Sequence, residues 1–234
     1  MYESIENQAI QEFSDISDYI WKSTRLIDHE TQLEKEKLRH YFPNDIKSNE
    51  LRWKYESNKL NSIFPYLIAV GNLFNVLSVF ESYLLLLSIE VEKHSSVKLK
   101  NIRGNGIKKM FNFFRQVELD IENISHFEQV NASIKIRNCF MHACGVLDWS
   151  KEDKELERIQ KSLKHLSKEH RNDQLQKKDT DKILRIVNSP LGKKLELDNT
   201  YPFLLTNYLR CFFIEICQKA RTLDKPHQKQ QEST

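Results

Sequence analysis

At 234 residues the chain is long enough to bury a substantial core, as one domain or two small ones. Only five glycines and five prolines, against abundant Leu, Ile, Lys and Glu, exclude a turn-rich β fold and favour helices. A formal net charge of +3 excludes bulk electrostatics as a guide to partners, so a nucleic-acid surface would have to come from local clustering.

The chain opens with Met1-Tyr2-Glu3-Ser4-Ile5-Glu6, acidic and without the apolar core of a secretory signal. Ile5, Ile10, Phe13, Ile16, Ile20, Leu26, Ile27 and Leu33 recur at helical spacing, predicting one long amphipathic helix over residues 3–40. Tyr41-Phe42-Pro43-Asn44-Asp45 reads as a turn, and Ser48 as the start of a second helix reaching Phe64. Pro65 removes a backbone donor and marks either a kink or a fresh start. The helix from Pro65 to Lys93 is the most apolar in the chain and is expected at the centre of the core. Asn72, Asn75, Ser78 and Glu81 interrupt it at every third position, a narrow polar face that points to a buried helix and not to a membrane span. Glu81 is either a surface residue of that stripe or the partner of a cation on a neighbouring helix, because a lone buried carboxylate is very costly.

From Lys93 to Arg115 the charges are all basic, including Lys98, Lys100, Arg103, Lys108 and Lys109. Gly104-Asn105-Gly106 breaks the segment, and Ile107 to Phe114 resumes as a short helix. Its phenylalanines, Phe111, Phe113 and Phe114, are expected in the core, with the five cations left as an RNA-attracting rim. Ser125-His126-Phe127-Glu128 has the spacing of a capping box and would start the next helix, which runs to Cys144 and stops at Gly145. Ser150 to His170 reads as a charged helix with a thin seam of Leu156, Ile159, Leu163 and Leu166, a solvated arm. Arg171 to Asp181 reads as a mobile polar stretch. Ile183–Val187 and Lys194–Leu197, around Ser189-Pro190-Leu191-Gly192, predict a β-hairpin. Thr200 caps a last apolar helix, Tyr201 to Thr222. Residues 1–45 are thus an N-terminal helix on the bundle, 46–223 the helical domain and 224–234 a disordered tail.

The cysteines, Cys139, Cys144, Cys211 and Cys217, form no C-x-x-C pair. Cys139, His142 and Cys144 lack an evident fourth ligand, so all four are read as packed, reduced thiols of a cytoplasmic protein, with no metal and no cofactor.

The stretch Ile136-Arg137-Asn138-Cys139-Phe140-Met141-His142-Ala143-Cys144-Gly145 sets an arginine, with four residues between, before a histidine near a helix end. Asn138 and His142 lie one turn apart on one side, and the Arg137 side chain must swing across to join them. A permanent cation beside an imidazole suits chemistry at a phosphate. Arg137-Asn138 and the following His142 resemble the R-x4-6-H motif of the HEPN-domain ribonucleases. The setting adds to the resemblance: an all-helical chain, a preceding apolar helix with Glu81, and a closing apolar helix.

The resemblance covers residues 50–222, with about ten carrying it specifically. It implies an all-α, up-and-down helical bundle with a hairpin insertion, and metal-independent RNA cleavage to 2′,3′-cyclic phosphate and 5′-hydroxyl ends. Arg137, His142, Asn138 and Glu81 would form the site. It further implies a homodimer across the motif helix, a toxin or antiviral-defence role, an antitoxin or defence-system partner, and no membrane. Family members paired with a nucleotidyltransferase antitoxin often carry tyrosine two residues after the histidine, where this chain has Cys144. The competing reading is a HEPN-like module that binds RNA or protein without cutting.

Overall fold

Helix α1 (Tyr2–Tyr41) buries Ile5, Ala9, Phe13 and Ile20 along one face, against the last helix and the central one. Its second half, past Ser23, buries only Leu38. The computed structural model describes residues 1–172 and 183–223. The expected mobile stretch beyond Asn172 and the expected disordered tail therefore lie outside the described residues.

Asp45, and not Ser48, caps helix α2 (Ile46–Asn58): its carboxylate accepts the Ser48 N–H at 3.1 Å. Pro65 falls in the first turn of a new α-helical segment, and the helical run continues across it. One π turn, Lys59–Ile63, precedes helix α3 (Phe64–Glu92) and widens the backbone just where the proline ring would meet a carbonyl. The helical run Ile46–Glu92 is thereby 47 residues, long and apolar enough by length and composition to cross a membrane. Its α3 stripe of Leu73, Val76, Leu77, Phe80, Leu84 and Leu87 is fully buried, packed on α1 and the last helix.

The expected polar stripe is broken at its first member. Asn72 is buried and donates to Asn199 Oδ1 at 2.8 Å, while Asn199 Nδ2 reaches Ile20 O at 3.1 Å and Thr24 Oγ1 at 2.9 Å. The buried amide keeps its place because this hydrogen bond offsets the cost of taking it out of water.

Helix α4 (Gly106–Gln116) buries Phe111, Phe113 and Phe114, so its aromatics do join the core. Helix α5 (Phe127–Ala143) does not begin in a capping box. His126 holds a left-handed backbone, φ 64°, the Ser125 N–H donates to Glu215 at 3.0 Å, and Glu128 pairs with Lys164 and Arg171. A capping box needs an extended N-cap, which the left-handed turn at His126 removes. At the other end Cys144 (φ 53°) and Gly145 (φ 80°) turn the chain away, with the Gly145 N–H on Cys139 O at 3.1 Å. Cys144 is consequently exposed, not packed.

The predicted charged helix is two short pieces, α6 (Asp153–Lys161) and α7 (Lys168–Asn172), parted by a left-handed residue, Leu163. Nor is it a solvated arm: Leu156, Ile159, His165 and Leu166 are buried. Arg171, expected to be mobile, donates to Leu166 O at 2.8 Å. Strands β1 (Leu184–Ser189) and β2 (Gly192–Leu197) pair antiparallel as predicted, from Leu184↔Leu197 to Ser189↔Gly192. The Leu195 N–H fastens β2 to Gly145 O at 2.8 Å, beside the end of α5. Helix α8 (Thr200–Leu223) closes the core with Tyr201, Leu205, Tyr208, Leu209, Phe212, Phe213 and Ile216. The chain is thus mostly helical, with a two-stranded hairpin before its last helix.

Candidate functional site

Helix α5 buries Ile136, Cys139, Phe140 and Ala143 on its inner side, which leaves Asn131, Lys135, Asn138 and His142 along its outer one. Those four fall at i, i+4, i+7 and i+11, one stripe of an α-helix. Arg137 stands on the flank of that stripe and faces α3. There its Nη1 donates to Glu81 Oε2 at 3.1 Å, and its Nη2 donates to Asn138 Oδ1 at 3.3 Å. The structure therefore joins Arg137, Asn138 and Glu81 directly. Its Nε is buried with no partner among the described residues. An unbonded buried donor of that kind costs about 1–3 kcal/mol.

Glu81 is held from its other side by the start of α4. Gly106 sits at φ 57°, and a Cβ there would come within 2.8 Å of Glu81 Oε1. The first turn of a helix leaves N–H groups unbonded inside the helix, so a carboxylate lying against it is favoured. Gly106 thus serves twice, for a left-handed backbone and for the close approach of the carboxylate. Gly106→Ala is expected to lower stability by roughly 1–2 kcal/mol from the backbone alone, measured by urea unfolding. It should also push Glu81 off Arg137.

These residues line one cleft of about 720 Å³, between α3, α4 and α5. His142 lies on it, exposed, with no hydrogen-bond partner among the described residues. Four cations, Lys108, Arg115, Lys135 and Arg137, line it with two carboxylates, Glu81 and Glu152, and of the four only Lys108 has no ion-pair partner among the described residues. Arg115 is tied to Glu122 at 2.7 Å and Lys135 to Glu155 at 3.2 Å. A smaller cleft of about 320 Å³ also holds Arg210, Asn207 and a histidine, but there the His170 ring is bonded to the Tyr208 hydroxyl at 2.6 Å and is not open.

The chain matches no protein-family model, no curated protein and no solved structure.

Of the five cations expected to form an RNA-attracting rim, only Lys108 lines the cleft. Lys98, Lys100 and Arg103 are exposed away from it, and Lys109 is half-buried on α4. The other four lie off the cleft wall. Lys135 and Arg115 take that place instead. Lys135 had a signal: it lies seven residues before His142, two helical turns on the same face. Arg115 had none beyond its charge, since only the packing of α4 against α3 brings it to the cleft. Cys139 is buried while His142 and Cys144 are exposed, and among the described residues no three potential ligands cluster as a metal ion would need.

Proposed function

We propose that this protein is a HEPN-like endoribonuclease, a helical bundle whose cleft cuts RNA by attack of a 2′-hydroxyl on the adjacent phosphorus. One observation carries the reading. Arg137 is clamped by Glu81 and Asn138 on the wall of a cleft that also holds an open imidazole, His142.

In this reaction the imidazole of His142 takes the proton of the 2′-hydroxyl. The O2′ forms a bond to phosphorus and the 5′-oxygen leaves, taking up a proton. Arg137 holds the charge that builds on the non-bridging oxygens, and Asn138 orients the phosphate. The products are a 2′,3′-cyclic phosphate and a 5′-hydroxyl. Among the described residues one copy of the cleft is lined by one imidazole, His142, whereas proton removal and proton delivery need two groups. The second His142 would come from another copy, in a symmetric homodimer that joins two motif helices at one cleft. A toxin or antiviral effector, held in check by an antitoxin or defence-system partner in the cytoplasm, fits such an unselective chemistry.

The test is incubation of the purified protein with total RNA in excess chelator, followed by analysis of the ends. Cyclic phosphate and 5′-hydroxyl ends are expected, with no cleavage of DNA or of RNA methylated at the 2′-oxygen. Cleavage that requires added metal, or 5′-phosphate products, would refute the mechanism. Binding without any cleavage would leave a non-catalytic RNA- or protein-binding module.

A further inference from the structure

Beyond Gly145 the chain makes a short 3-10 turn, Leu147–Trp149, whose role the cleavage chemistry does not use. The turn is anchored on both sides. Val146 and Leu147 are buried, Val146 bridges to Lys194 of β2, and the Ser150 N–H bonds Leu147 O at 2.8 Å. Trp149 points outward beside Asp148, with 60% of its surface exposed. Exposed large side chains recur on this surface, Trp21 at 58% among them, so exposure alone gives the ring no role.

Its surroundings supply one. Trp149 lines a groove of about 490 Å³ together with Lys135, Asn138, His142, Lys151 and Glu152. Lys135, Asn138, His142 and Glu152 also line the larger cleft, so the two are continuous. A chain passing Arg137 and His142 in one direction meets a flat indole flanked by two lysines. Aromatic faces stack on nucleobases, and lysines beside them take the neighbouring phosphates.

We propose that Trp149 is the stacking platform for the nucleobase next to the cut phosphate, with Lys151 and Lys135 on the flanking backbone. This rests on the cleft being an RNA-cleaving site, and it specifies the substrate as single-stranded RNA. A base in a duplex is stacked on its neighbours and cannot also lie on the indole.

The probe is a short, labelled RNA methylated at every 2′-oxygen, which binds without being cut, given to the full chain as a single strand and as a duplex. Affinity is read by anisotropy and stacking by quenching of tryptophan emission, with Trp149→Ala, Trp149→Phe and the unaltered protein compared. The single strand should bind better than the duplex and quench emission. Trp149→Ala should weaken binding about 5- to 150-fold, Trp149→Phe should recover much of that loss, and neither should alter the circular dichroism spectrum. The quenching should vanish in Trp149→Phe, although Trp21 and Trp53 remain.

Equal affinity of Trp149→Ala and the unaltered protein would overturn the platform and leave the RNA-cleaving reading standing. So would a shift from dimer to monomer in Trp149→Ala, which would make the ring a subunit contact. Failure of either strand to bind the unaltered protein, with no cleavage of total RNA, would remove the RNA reading itself.

Discussion

Replacing His142 by alanine should leave a folded protein whose RNA cleavage is slowed about 10²- to 10⁴-fold, the usual contribution of a positioned acid or base. The ring is exposed in the last turn of α5 and hydrogen-bonds to no described residue, so its removal opens no cavity. The stability change should stay within about 0.5 kcal/mol. Arg137→Ala should abolish cleavage just as deeply but with a different cost. It strips Glu81 of its ion pair and leaves that carboxylate, packed against Gly106, without its counter-charge. Arg137→Lys separates the two roles. An ammonium restores charge near Glu81 but not the fork that reaches Glu81 and Asn138 together. Stability should recover more than rate. Initial rates on a fluorescent RNA, set beside thermal melts of the same proteins, measure both. A His142→Ala protein that cuts as fast as the unaltered one would end the catalytic assignment.

Acidification should destabilise this protein well before its carboxylates protonate. His165 is fully buried in the turn between α6 and α7, its ring edge-on to Tyr201 at 5.8 Å, and neither ring nitrogen has a hydrogen-bond partner among the described residues. Burial lowers its pKa from 6.5 to about 4. The Ile159 carbonyl pulls the other way but is outweighed by burial, and the positive charge of Arg171 acts with the burial.

A histidine whose folded pKa is depressed takes up its proton more readily when unfolded. Its contribution is therefore complete above pH 6.5 and is lost as the pH falls towards 4, a total of roughly 3 kcal/mol. His126, also lowered by burial, acts in the same direction. Glu128 and Glu157, whose pKa values are lowered, are lost only below 4.5. His165→Phe should keep stability at pH 7 to within about 1.5 kcal/mol and flatten the profile between pH 6.5 and 4.5. Urea midpoints across that range decide it, and an unchanged slope in His165→Phe would refute the assignment.

Local patterns foretold most of the helices, because an apolar residue every three or four positions can be buried in only one regular way. The hairpin was legible for the same reason, with β-branched and leucine positions either side of Pro190 and Gly192. Where prediction failed, a local rule met a tertiary competitor. Ser125 and Glu128 had capping-box spacing, but Glu215 on α8 took the Ser125 N–H and Lys164 and Arg171 took Glu128. The charged segment after Ser150 looked solvated because its apolar residues are few. The core accepted them by breaking the helix at Leu163, which turns His165 and Leu166 inward.

The candidate site divides along the same line. Asn138 and His142 share a face of α5 through the 3.6-residue period alone, a property of the chain that needs no neighbour. Glu81, by contrast, had two open readings until the packing of α3 against α5 brought its carboxylate within 3.1 Å of Arg137. The basic run from Lys98 to Lys109 held five cations, yet only Lys108 reached the cleft, while Arg115, Lys135 and Trp149 arrived from other elements. Spacing along a helix is set by backbone geometry and can be read from sequence; which faces meet is set by how three helices bury their apolar stripes together, and only the folded chain decides that.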